Sequence, residues 1–387
     1  MKLRSFRQLR IGIETPIYIM LMGMLAIQIA TPWRLSAIMS LGTWMIIISV
    51  VIAFCLSLVM KKIDVSSLAM LIVLAACICV SVILSFTLKY RQLVVALSFL
   101  EIPLVMTTYS KCYDKNVYKF IYISFVLLSI YYQVISFTSV ANIYYTDYGS
   151  QQIDFLTLGY ENPNETAMHL FICILVLLIF LLEVKNILIR IFLIVDVLML
   201  MRLIVLTGAR TGILILVCFL IFYVFFRKRS IPRLIESLFL STPIVFIVVA
   251  YLFKIFNISF SFLGKTFDTG RINIYMDVFE NFNFLTFFFG NNESLFKNLH
   301  NSVISIFATI GIIGVIAFFV LLYAKIRLIR NCIDGVATKK MAFVGVLCIV
   351  AYTSTEAAFL TTGGTFAIAF LSVYFISVFS EQEEICQ

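Results

Sequence analysis

The chain has 387 residues, of which 62% are hydrophobic and only 13% charged, well short of the roughly one-quarter charged fraction of a soluble domain. Its net charge of +9 does not point to nucleic acid, because the basic residues lie in short clusters between apolar runs, the bias that orients membrane helices. The runs are continuously apolar rather than alternating, which selects helices over a closed barrel. The expectation is an all-α polytopic membrane protein of about 12 transmembrane helices, residues 1–387 forming a single integral membrane domain.

The first element is a basic stretch with Lys2, Arg4, Arg7 and Arg10 ahead of an apolar run, without a small-x-small cleavage pattern, and it reads as an uncleaved first span. Spans follow over 13–31, 37–59, 66–87, 92–109, 118–137, 166–183, 187–206, 211–226, 238–256, 302–323, 341–359 and 362–379. The turn Thr361-Thr362-Gly363-Gly364-Thr365 joins the last two, which could instead form a re-entrant pair. Two long hydrophilic stretches interrupt the series, an outer loop over 138–165 and a larger one over 257–301. The larger carries aromatic and aliphatic residues throughout and is expected to be a structured extracytoplasmic cap over a site at the membrane face. The nine cysteines fall in apolar runs, short loops or at the C-terminus, so no disulfide framework is expected.

Charge counting fixes an orientation. With the N-terminus in the cytoplasm, twenty Lys and Arg fall on the cytoplasmic side and eight on the other: Arg34, Lys89, Arg91, Arg210, Lys254, Lys265, Arg271 and Lys297. Arg202 falls within a span. Both termini are then cytoplasmic, and both long loops face outward. Four of the eight outer basic residues belong to the 257–301 stretch or its edge, as a loop that recognises an anion would require.

There are two histidines. His300 stands at the outer end of the tenth span, beside the long loop, where it could serve as a general base or simply as an interfacial side chain. His169 lies one turn into the sixth span, four residues after Glu165, and a polar contact between those two is the plainer reading. Arg210 lies between Gly208 and Gly212, and its planar fork of donors suits phosphate. Arg202 is eight residues earlier, nearly on the same helical face. An arginine within a span is costly, so it is expected to face a partner such as Asp196 or Glu356. Arg271 opens a helical stretch from Ile272 to Phe282. A Gly-rich phosphate loop and an outer Asp-x-Asp pair are both missing from the sequence, so the expected chemistry needs no metal and no cofactor. Arginines that neutralise a leaving diphosphate and a histidine that deprotonates an acceptor hydroxyl suit glycosyl transfer from a lipid-linked diphosphate.

The segments Leu206-Thr207-Gly208-Ala209-Arg210-Thr211-Gly212, Gly270-Arg271, Phe289-Gly290, Leu299-His300-Asn301-Ser302 and Ile310-Gly311-Ile312-Ile313-Gly314 resemble, in their order and their placement on one membrane side, the blocks of the O-antigen ligase and polymerase superfamily, and Asn162-Pro163-Asn164 resembles a segment that opens a span before them. The resemblance covers roughly 160–320, and the chain departs from it at Gly290-Asn291-Asn292, where a second glycine is usual. It implies a class C-like glycosyltransferase of the bacterial cytoplasmic (inner) membrane, with its active site on the periplasmic face. Its substrates would be undecaprenyl-diphosphate-linked oligosaccharides. Arg210 and Arg271 would then hold the diphosphate and His300 would act as base, with Arg202, Asn301, Glu161 and Asn164 as candidate substrate contacts. The Phe-, Ile- and Tyr-rich composition leans toward an O-antigen or capsule repeat-unit polymerase, with a chain-length regulator as a candidate partner. An O-antigen ligase that transfers glycan to lipid A core is the alternative, and a polysaccharide flippase or transporter is a further one, although the two halves of the chain show no internal repeat.

Overall fold

The computed structural model describes residues 2–59, 65–84, 104–105, 115–138, 143–148, 151–160, 162–226, 228–258, 261–262, 265–266, 271–290, 299–331, 333, 336–356 and 374. Helices dominate them: α1 (Lys2–Ala30), α2 (Ser36–Val59), α3 (Val65–Leu84), α4 (Lys115–Ser136), α5 (Pro163–Leu181), α6 (Ile187–Leu206), α7 (Arg210–Phe226), α8 (Arg233–Ile255), α9 (Arg271–Glu280), α10 (Phe284–Phe289), α11 (Ser302–Asn331) and α12 (Ala337–Tyr352). Two small antiparallel hairpins interrupt them. β1 (Ile143–Tyr148) pairs with β2 (Gln151–Leu156) in the register Ile143 to Leu156, and β3 (Ser261–Phe262) pairs with β4 (Lys265–Thr266).

Among the described residues, five helices are long and apolar enough to cross a membrane: Ser36–Leu56, Lys119–Ser136, Pro163–Leu181, Arg233–Ile255 and Ser302–Asn331. Shorter apolar helices cover Thr15–Ala30, Leu68–Leu84 and Arg210–Phe226. This is a helical membrane protein. The expected fourth span (92–109), apart from Leu104 and Val105, the twelfth (362–379), apart from Tyr374, and the turn at 361–365 lie outside the described residues. α6 is also apolar for most of its length but carries Arg190, Asp196 and Arg202.

An apolar helix of a membrane protein either lies inside the bundle or turns a face to lipid. α5 lies inside, since Thr166 through Ile179 are all buried, and so does α12 from Met341 to Tyr352. Helices with lipid-like exposure surround them. On α8 only Glu236, Pro243 and Ala250 are buried, and on α2 the side chains of Leu41, Trp44, Ile48 and Val51 are exposed. The α1–α2 hairpin closes at Gly23 and Gly42, where a Cβ on either residue would strike the backbone of the other helix.

The helix ends sort into two groups. At one end, Trp33 donates to the Tyr131 hydroxyl at 2.7 Å, which donates to the Ile29 carbonyl at 2.6 Å. The same end holds the contact of Pro32 with Gly159, the Ser302 amide on the Thr353 carbonyl at 3.0 Å, and the Thr355–Thr211 hydroxyl pair at 3.1 Å. At the other end, Tyr122 reaches Glu183 at 3.5 Å, and Arg330 pairs with Glu236 while donating to the Ile231 carbonyl at 3.0 Å.

Candidate functional site

The end that gathers Arg34, Arg210 and the 257–301 stretch contains a cluster centred on Glu356, which follows α12 and is only 7% exposed. Three side chains converge on its carboxylate. The Asn164 side-chain amide donates to Oε1 at 3.0 Å, an Arg271 guanidinium nitrogen lies 3.6 Å from the same oxygen, and His300 Nδ1 lies 3.3 Å from Oε2.

Each partner is held by its local sequence. Asn164 sits in the first turn of α5, which is started by Pro163 and capped by Asn162, whose side chain accepts from the Asn164 amide at 2.8 Å. The Asn164 carbonyl accepts from the Tyr352 hydroxyl at 3.2 Å, which ties α5 to α12 beside the site. Arg271 is the first residue of α9, and Ile272, Tyr275 and Val278 bury the inner face of that helix. His300 has a left-handed backbone, with φ +50. That conformation turns the chain into α11, so the imidazole meets Glu356 instead of following the helix. The Ser302 hydroxyl donates to the Glu356 backbone carbonyl at 3.3 Å.

A carboxylate only accepts, so His300 Nδ1 carries its proton toward Glu356. Nε2 is then left with the lone pair, the tautomer a general base needs. A guanidinium offers five donors, and Glu356 engages Arg271 through one nitrogen. The carboxylate therefore orients both a base and a cation, and His300 and Arg271 are both partly exposed.

The expected site residues divide as follows. His300, Arg271 and Asn164 come together. Arg210 opens α7 at the same end, next to Thr211, whose hydroxyl meets that of Thr355 one residue before Glu356. Glu161 lies outside the described residues. Asn301, expected as a substrate contact, is bonded within the protein. It is fully buried, its amide donates to the carbonyls of Pro243 at 3.1 Å and Ser354 at 2.9 Å, and its Oδ1 accepts from the amides of Val303 at 2.9 Å and Ile304 at 3.2 Å. All of its bonding capacity goes to capping α11 and tying it to neighbouring segments.

Arg202 meets neither of the partners expected for it, Asp196 and Glu356. Its side chain is exposed, while Asp196 is bonded by Ser129 at 2.6 Å and by Gln133, and Glu356 is held by the site. The shared face with Arg210 fails because the helix ends at Leu206 and restarts at Arg210 through Gly208, at φ +61, against the ring of Phe155. Sequence reasoning set Glu356 beside Arg202 and did not place it in the site. The polar cluster Thr353-Ser354-Thr355-Glu356 at the close of an apolar run was the available signal.

The second histidine belongs to a separate, sealed cluster. His169 stacks on Tyr160 with ring centres 4.8 Å apart, and its Nε2 lies 3.8 Å from Glu165, the contact expected from their spacing. Gln28 Oε1 accepts from the hydroxyls of Tyr132 at 2.6 Å and Tyr160 at 2.8 Å, so the Gln28 amide nitrogen faces His169 Nδ1 at 3.3 Å. Burial pushes the Tyr160 phenol well above its ordinary value, so it stays protonated and donating. No protein-family model matches the chain, and no curated protein matches it.

Proposed function

We propose that the protein is a polysaccharide polymerase of the bacterial cytoplasmic membrane. It transfers a growing glycan from undecaprenyl diphosphate to a sugar hydroxyl of a lipid-linked repeat unit at the outer face. The observation that carries this reading is the convergence of His300, Arg271 and Asn164 on Glu356 at the bundle end that also holds Arg210. A base, its orienting carboxylate and two arginines are the groups that displacement of a diphosphate by a hydroxyl requires.

In the proposed step the acceptor oxygen forms a bond to the anomeric carbon while the bond from that carbon to the diphosphate oxygen breaks. The electron pair leaves on the diphosphate, where Arg271 and Arg210 offset the charge. The acceptor proton passes to His300 Nε2, and Glu356 stabilises the imidazolium through Nδ1–H. Both substrates are held in the plane of the membrane by their lipids, which lowers the entropic cost of their meeting. The segment resemblance from Leu206 to Gly314 supports the same class.

The test is a gel of surface polysaccharide from cells lacking this chain and resupplied with wild type or with His300→Ala. A polymerase lacking its base leaves lipid A core with one repeat unit, and transfer falls by roughly 10²–10⁴-fold. Bare core with accumulated lipid-linked polymer would instead identify a ligase. Loss of repeat units from the outer face would identify a transporter. Normal polymer with His300→Ala would remove His300 from the mechanism.

A further inference from the structure

The stretch between α9 and α11 changes character abruptly at Asn283. Asp277, Glu280, Asn281 and Asn283 before it are exposed, and α10 after it reads Phe284-Leu285-Thr286-Phe287-Phe288-Phe289. Three of these apolar side chains are exposed, Phe284 at 78%, Leu285 at 52% and Phe287 at 43%. In water this would be an unfavourable surface.

The packing of α10 shows where it lies. α11 is broken at Gly311, whose φ of 68 and ψ of −175 are far from helical. The break is occupied by the end of α10. A Cβ on Gly311 would collide with the backbone of Phe288 and Phe289, and one on Gly290 with that of Thr309 and Ile310, so each glycine is the space the other segment fills. Above this lock the rings of Phe282 and Phe287 pack on Phe307 at 4.9 and 5.5 Å. Ser81 of α3 donates to the Thr309 carbonyl at the same break. Gly311 is nine residues beyond Ser302, so α10 ends about 13 Å down α11 at 1.5 Å per residue, inside a hydrocarbon core of about 30 Å.

The backbone of α10 suits that depth. Within a bilayer every polar backbone group needs a partner in the protein. The Asn283 side chain accepts from the Thr286 amide at 2.9 Å, the Thr286 hydroxyl accepts from the Asn283 amide at 2.8 Å, and the Gly290 amide returns to the Thr286 carbonyl at 2.7 Å. The amides of Asn283, Thr286 and Gly290 thus find their partners within the segment.

We infer that α10 is a re-entrant segment wedged into the break of α11, and that Phe284, Leu285 and Phe287 face the acyl chains of the adjoining leaflet. The two helices that α10 packs against also carry exposed apolar side chains, Ile316 and Val320 on α11 and Ile83 on α3. The segment from Arg271 to Gly290 then joins an exposed polar turn to a lipid-facing limb. This placement holds whichever reaction the site catalyses.

The test uses the full chain in vesicles. Its two tryptophans, Trp33 and Trp44, are first replaced by Phe, and single reporters are added as Phe284→Trp, Leu285→Trp and Asn281→Trp. The first two are expected to emit at short wavelength and to lose intensity in vesicles of acyl-brominated phosphatidylcholine, with no loss to aqueous iodide. Asn281→Trp is expected to lose intensity to iodide. Iodide quenching of Phe284→Trp and Leu285→Trp would overturn the inference by placing α10 in water. Quenching of either by neither agent would overturn it too, by placing that face against protein. If Phe284→Trp fails to insert, Leu285→Trp decides on the same criteria.

Discussion

The two histidines stand in opposite circumstances although both are held in polar clusters. His300 is half-buried at the bundle end, bonded to a carboxylate that also holds Arg271 and Asn164. His169 is 3% exposed within α5, boxed by Tyr160, Gln28 and Glu165. In the first cluster a carboxylate orients groups that still reach the surface. In the second, a ring of phenols and an amide closes on itself between α1, α4 and α5. Polar groups linked across helices in this way fix helix positions in a bilayer. Accessibility and the partner at Nδ1 set the two histidines apart, and residue type does not.

The strongest way to break this comparison is Glu356→Gln. The substitution keeps the volume and the bond from Asn164 but removes the charge that orients His300 and pairs with Arg271. Transfer from a lipid-linked donor by purified protein in vesicles is expected to fall by about 10²–10⁴-fold, the range for loss of a working base, with size-exclusion behaviour unchanged. Activity within a few-fold of wild type would mean that His300 acts without its carboxylate, and the distinction between the two clusters would collapse.

Much of the site could be read in the sequence, for a physical reason. Basic residues on the side that the charge bias leaves poor in them mark the 257–301 stretch, and His300, Arg271 and Asn164 do meet at one end of the bundle. Glu356 as their common partner was not legible, because it lies 192 residues from Asn164 and 56 from His300 and sits at the close of an apolar run. The cap that Asn301 supplies to α11 was not legible from its place beside His300. Arg202 was misread because an eight-residue spacing was carried through Gly208, where the helix stops. The descent of α10 was hidden by its length. Six residues carry too little periodicity to announce a helix, and only the matching break at Gly311 reveals its depth.

His169→Phe sharpens the same comparison from the other side. The ring can still stack on Tyr160, but the bond to Gln28 and the contact with Glu165 are lost. An interhelical hydrogen bond in a bilayer is worth about 0.6–2 kcal/mol, so a lower unfolding temperature in detergent is expected, with turnover held within a few-fold. His169→Gln, which restores an amide for Gln28 or Glu165, should recover part of that temperature. A collapse of turnover at unchanged stability would move His169 into the chemistry.

The smallest effect is expected at Arg202. It stands four residues before the end of α6, about 6 Å along the axis, close enough for its long side chain to reach the interface. Its exposed neighbours Leu198, Val205 and Leu206 mark that face as lipid-directed. An exposed arginine outside the Glu356 cluster should behave as a surface group, whose replacement shifts stability by no more than about 0.5 kcal/mol. Arg202→Ala is therefore expected to leave both turnover and unfolding temperature near wild type. If turnover instead fell steeply while Arg202→Lys kept it, the side chain would be meeting a lipid-borne phosphate from the bilayer side. The donor would then enter past α6, and the reactive region would extend beyond the carboxylate that organises it.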